Sequence, residues 1–217
     1  MKNRTWLRNT MLLASLATLA ASASPLRAGT PLTCFPFNIG NAPSLPWDST
    51  ADQRNWNTPK SDYDTKRLAD DTINLLGEKT PVIVRMETMR RATLYGRKDP
   101  AAAADLLARL KARALGSKQG RTNPLSLFDY GYLVETYKQA SVLYGEKKNA
   151  NAGGGENGYA YVLEALALRG NDAEMEFAAA LIASWPRQVK YKEHYQRAVA
   201  GASGDQLLAA NLEGRLK

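Results

Sequence analysis

The sequence predicts an all-α body of antiparallel helix hairpins, arranged as an α-solenoid or an irregular helical bundle, with an extended arm rich in proline and aromatic residues before it. Three observations carry this. Apolar residues recur at helical spacing from residue 64 to the C-terminal end, capping residues and prolines punctuate the starts and glycines the stops, and no stretch alternates as a strand does. With 217 residues, 44% of them hydrophobic and 23% charged, the chain suffices for one domain with one sizeable core.

The elements follow in order. Lys2, Arg4 and Arg8 precede an uncharged apolar run over residues 11–20, and Ala21 and Ala23 supply the small residues at which a signal peptidase cuts. Residues 1–23 are therefore expected to be a secretory signal, with a second, poorer cleavage position after Ala28. The apolar run is about half of the roughly 20 residues that a spanning helix needs. No transmembrane segment is expected after cleavage, and the mature chain is expected to be exported, to the periplasm or the exterior.

Residues 24–63 form the predicted arm. From Gly29 to Lys60 five prolines (Pro31, Pro36, Pro43, Pro46 and Pro59) forbid a long helix, while Phe35, Phe37, Trp47 and Trp56 are too many large rings for a solvated linker. The rings are expected to lie against the helical body, with an aromatic groove at Trp47 and Trp56 as the alternative. Cys34 follows a poor lipidation box, since leucine stands one place too late and threonine precedes the cysteine. A thiol buried beside Phe35 and Phe37 is preferred over an intermolecular disulfide.

Residues 64–217 form the predicted helical domain, with eight helices. Leu68, Thr72, Leu75 and Leu76 make a stripe that Gly77 stops. Thr80 and Pro81 open a helix through Val82, Met86 and Met89 to Gly96. Asp99 and Pro100 open the clearest amphipathic helix, with Ala103, Leu106, Leu107, Leu110 and Ala114 on one face and Asp105, Arg109 and Arg113 on another. Pro124 introduces a long helix through Tyr130, Leu133, Val134, Tyr137 and Tyr144. Tyr159, Val162, Leu163 and Leu166 form the next, stopped by Gly170. Asp172 caps a helix through Phe177, Leu181 and Ile182, Val189 to Val199 span another, and Ser203 is expected to cap the last, with Leu207, Leu208 and Leu212.

Two internal echoes accompany this pattern. Ala92 stands seven residues before Asp99, and Ala165 seven before Asp172. Gly131, Tyr132, Leu133, Val134 and Glu135 echo Gly158, Tyr159 and the following Val162, Leu163 and Glu164. Small residues at such places suit close helix packing. Over residues 80–200 the chain resembles tetratricopeptide-like helical repeats in general shape, which implies stacked hairpins. It departs from them in a 73-residue spacing and in lacking their Trp-Leu-Gly-Tyr signature. The runs Cys34-Phe35-Pro36-Phe37-Asn38-Ile39-Gly40 and Val84-Arg85-Met86-Glu87-Thr88-Met89-Arg90-Arg91-Ala92 are similar to those of exported bacterial proteins of unassigned function.

One cysteine excludes an intrachain disulfide, and one histidine excludes any site needing two imidazoles. Gly153, Gly154 and Gly155 lack the Gly-Lys-Ser/Thr sequence and preceding strand of a phosphate loop. No catalytic residue, metal or cofactor is expected. Residues 1–23 hold three basic and no acidic side chains, so the mature chain keeps 26 basic and 21 acidic residues, net +5. Residues 85–121 alone hold ten basic against three acidic residues, a local +7, which leaves −2 elsewhere. Arg85, Arg90, Arg91, Arg97, Lys98, Arg109 and Arg113 are therefore the candidate basic face, for a protein or an anionic envelope polymer. Nucleic acid is not expected at this address.

The function expected is an exported scaffold or interaction module of the bacterial envelope. The alternative is an all-helical cell-wall glycan hydrolase using paired carboxylates drawn from Glu87, Glu135 and Glu164. Against it, Glu87 precedes Arg91 by four residues, the order of a helical ion pair, and Glu135 and Glu164 can face water. Asp70 and Asp71 read as a solvated helix face. His194, flanked by Lys190, Lys192 and Glu193, reads as solvated.

Overall fold

The computed structural model describes residues 32–48, 58–116, 122–145, 155–184 and 190–213. The signal segment, Trp56, the three consecutive glycines apart from Gly155, and Pro186 and Val189 lie outside them. Within them the chain is all-α: eight α-helices and one 3₁₀ turn (Thr65–Arg67) make up 68% of the described residues, with no strand. The helices are α1 (Leu68–Leu75), α2 (Val82–Gly96), α3 (Pro100–Leu115), α4 (Pro124–Tyr144), α5 (Gly158–Arg169), α6 (Ala173–Ala183), α7 (Tyr191–Gly201) and α8 (Gln206–Leu212).

Most boundaries are fixed by side chains that accept the orphan N–H groups of a first turn. Asp99 accepts from Ala102 N–H with Pro100 at the first helical position, Asn123 caps α4 ahead of Pro124, Asn157 caps α5 and Asp172 caps α6. Two expected starts differ. Pro81, not Thr80, is the cap residue of α2, because the Thr80 hydroxyl donates back to the Leu75 carbonyl (2.8 Å) and the first free N–H, of Val82, is taken by Glu174 of α6. Ser203 is displaced by Asp205, whose carboxylate reaches Leu208 N–H.

Helix α2 is the centre. It packs against α1, α3, α4 and α6, and every one of its residues except Arg91 is buried. The arrangement is that of an all-α helical bundle or solenoid. Outside it, α4 lies along α5 and α6 along α7. The Gly131 and Gly158 echo is the crossing point of the first pair. A Cβ on Gly131 would stand 2.6 Å from the Gly158 carbonyl oxygen, and one on Gly158 would overlap the Gly131 carbonyl. Both glycines are therefore required by backbone contact.

The described part of the arm is ordered on this body. Phe37 is buried edge-on against Phe177 of α6, and Trp47 packs edge-on against Tyr95 of α2. Phe35 departs from expectation, being 46% exposed, and Cys34 is only half-buried.

Candidate functional site

The seven basic residues singled out by the sequence do not form one surface. The fold divides them into three settings.

Arg90 and Arg91 turn toward the arm and meet Glu87, which is fully buried with Arg90. Glu87 Oε2 accepts from Arg90 Nε (2.8 Å) and from the Phe37 backbone N–H (2.9 Å), while Oε1 accepts from Arg90 Nη2 (2.9 Å) and Arg91 Nε (2.7 Å). Arg91 Nη1 continues to the Leu45 carbonyl (2.6 Å), and both guanidiniums stand over the Trp47 ring. Burial by itself would raise the Glu87 carboxyl, but the hydrogen bonds and charge of Arg90 and Arg91 outweigh it and hold it below the ordinary carboxylate range. The arm run from Cys34 and the helix run from Val84 are thus two halves of one contact. Asn211 of α8 adds a second fastening, exchanging two hydrogen bonds with the Asn38 backbone.

Arg85 and Arg113 turn toward the α1–α2 connection and toward Asp129 of α4. Arg85, 1% exposed, forms a buried ion pair with Asp129 at 2.7 Å. Burial pushes the Asp129 carboxyl up to about 6, against the pull of Arg85 and Arg113.

Arg97, Lys98 and Arg109 form the third setting, nearer the surface. Arg97 is half-buried over the Tyr144 ring, Lys98 is exposed, and Arg109 is half-exposed between Asp70 (2.6 Å) and Asp105 (3.0 Å). Asp70 is two-thirds exposed, as expected.

The three carboxylates of the hydrolase alternative are not joined by any hydrogen bond or shared partner among the described residues. Glu87 has both oxygens occupied, Glu135 accepts from the Tyr159 N–H (3.1 Å) and Lys138 (2.8 Å), and Glu164 faces water. Glu135 is mostly buried, a departure from its expected exposure.

His194 is the clearest correction. It is 3% exposed, not solvated: Nε2 meets the Tyr159 hydroxyl at 2.8 Å and Nδ1 meets Glu176 at 2.5 Å, with Arg197 on the other Glu176 oxygen. This network ties α5, α6 and α7 together. Its sequence signal was a single-residue difference in helix phase, since Ala198, four residues on, shares the buried face. Among the described residues no group of three or more His, Cys, Asp or Glu side chains is placed to hold a metal ion, and no helix is long and apolar enough to cross a membrane.

No protein-family model, curated protein or solved structure matches the chain.

Proposed function

We propose that this chain is an exported helical scaffold of the bacterial envelope, which docks a protein or anionic envelope polymer through the outward side of α3. The observation that supports it best is the internal use of the charged groups on and around α2. Glu87, Arg90 and Arg91 hold the arm, and Arg85 and Asp129 hold a turn, so the chemically capable side chains build the fold. Lys98, Arg109 and Lys111 are the exposed residues left for an anion, and Arg109 and Lys111 carry only surface ion pairs. Such pairs are weak and screened by salt, so a polyanion can displace them.

Retention on a heparin column is the test. Reversing Lys98 and Arg109 to Glu should abolish salt-sensitive retention without changing the circular dichroism spectrum. Crosslinking in the native envelope should then recover a partner with the parent chain and lose it with the variant. Retention unchanged by the reversal would remove the α3 face from the account. Hydrolysis of cell-wall glycan that Glu87→Gln, Glu135→Gln or Glu164→Gln abolishes in a folded chain would replace the scaffold with an enzyme.

A further inference from the structure

The arm is held by its main chain, and side chains of three helices do the holding. Gln139 of α4 accepts from the Leu32 N–H (2.5 Å), and Glu87 of α2 accepts from the Phe37 N–H (2.9 Å). Asn211 of α8 accepts from the Asn38 N–H (2.9 Å) and donates to the Asn38 carbonyl (2.8 Å). Arg91 donates to the Leu45 carbonyl (2.6 Å), and the Tyr95 hydroxyl to the Pro46 carbonyl (2.5 Å). Gln139, Glu87, Asn211 and Tyr95 are each no more than 3% exposed, so these are polar groups built into the body and aimed at a peptide backbone.

These contacts state what the groove requires of its occupant. The N–H groups it takes belong to residues 32, 37 and 38, and the prolines at 36, 43 and 46 fall where none is taken. Apolar side chains are enclosed at Leu32, Phe37 and Leu45, with Phe37 edge-on to Phe177. Residues 32–47 carry no charged side chain. Main-chain bonds supply affinity and enclosed side chains supply specificity, the division found where one protein binds an extended peptide of another.

We infer that this groove is a binding site for a neutral, proline-containing extended peptide, and that the arm of a second copy of this chain is its partner in trans. Each of the main-chain bonds joins residues at least 46 apart in sequence, so none depends on arm and body belonging to one chain. A reciprocal exchange of arms reproduces every one of them, and the second copy's arm meets each requirement of the groove by identity. The buried cluster around Glu87 holds the arm on a folded body. Own arm or partner's arm is therefore selected while the chain folds.

Folding the mature chain, residues 24–217, out of urea with a fluorescent peptide of residues 29–48 tests the proposal. An arm on a short tether competes at an effective concentration of about 1 mM, so with dilute chain and about 1 mM peptide roughly half of the folded monomers should retain label through size-exclusion chromatography. Phe37→Ala in the peptide, which empties the place beside Phe177, should lower retention by about tenfold or more. Asn38→Pro in the peptide, which removes the N–H held by Asn211, should lower it as well. Both changes are in the peptide, so the chain that folds is unaltered. Without peptide, the chain should fold as a monomer when dilute and as a dimer at about 1 mM, and that dimer should persist on dilution because its arms leave only by unfolding. No retained label, or equal retention of the parent and variant peptides, would overturn the binding site. Monomer alone at the high concentration would overturn the second copy as its partner.

Discussion

Helices α2 and α3 follow one another in the chain, and each carries three basic residues: Arg85, Arg90 and Arg91 on the first, Arg109, Lys111 and Arg113 on the second. Their environments are opposite. On α3 the buried positions are Ala103, Leu106, Leu110 and Ala114, a single stripe, and all three basic residues fall outside it. On α2 Val82, Ile83, Val84, Met86, Met89 and Ala92 surround the axis, so no outward face is left for Arg85 or Arg90. The setting of a helical charge is decided by how apolar residues are distributed around the helix, and net charge along the chain is blind to that.

The difference has energetic consequences, and the largest should come from α2. Glu87→Gln would leave Arg90 buried beside a neutral amide and remove the acceptor of the Phe37 N–H. Breaking one side of such a pair costs about 3–5 kcal/mol, and urea unfolding should show a loss of that order. If the variant unfolds with the parent chain, the buried cluster is not what joins arm to helix. Next is Gly131→Ala, where a methyl would press on the Gly158 carbonyl; overpacking of this kind costs about 1–3 kcal/mol, and the thermal midpoint should fall. Asp99→Ala removes the cap of α3 and the bond from Thr65, for about 0.5–2 kcal/mol.

How much of this was legible in the sequence depended on the scale of the cause. Caps are local, so Asp99, Asp172 and the prolines at 100 and 124 could be read directly, as could the Glu87–Arg91 spacing. The shift from Thr80 to Pro81 could not, because Glu174, which satisfies the Val82 N–H, lies 92 residues away. The basic set was found as a composition but not as a place, since burial of Arg85 and Arg90 depends on α4, α6 and the arm closing around α2. The Gly131 and Gly158 echo was visible as a repeat of small residues; that the two glycines meet each other emerges only from the crossing of α4 and α5.

Solution pH separates Asp129 and Glu174 from Glu87. Asp129 and Glu174 have folded-state values above their ordinary ones, so the folded chain binds more protons there. Their contribution favours the native state at the acid side and is lost as pH rises through about 6 and about 7. Glu87 is displaced downward, so its contribution is present above the ordinary glutamate value and lost as pH falls below it. Stability from denaturant titrations should therefore pass through a maximum near about pH 5, and Glu174→Gln should flatten the neutral-side decline. The smallest effect belongs to α3: Arg109→Ala, which opens only surface pairs with Asp70 and Asp105, should leave the unfolding midpoint in place.

The union of arm and α2 is tested most directly by amide exchange at Phe37, whose N–H is held by Glu87 at 2.9 Å. If the buried cluster makes arm and body one cooperative unit, this amide exchanges only through global unfolding, at the same opening free energy as Met86 and Met89 in the middle of α2. In Glu87→Gln it should exchange well ahead of them. Fast exchange at Phe37 in the parent chain, with α2 still protected, would contradict the account, because the arm would then leave the surface while the helices stayed folded.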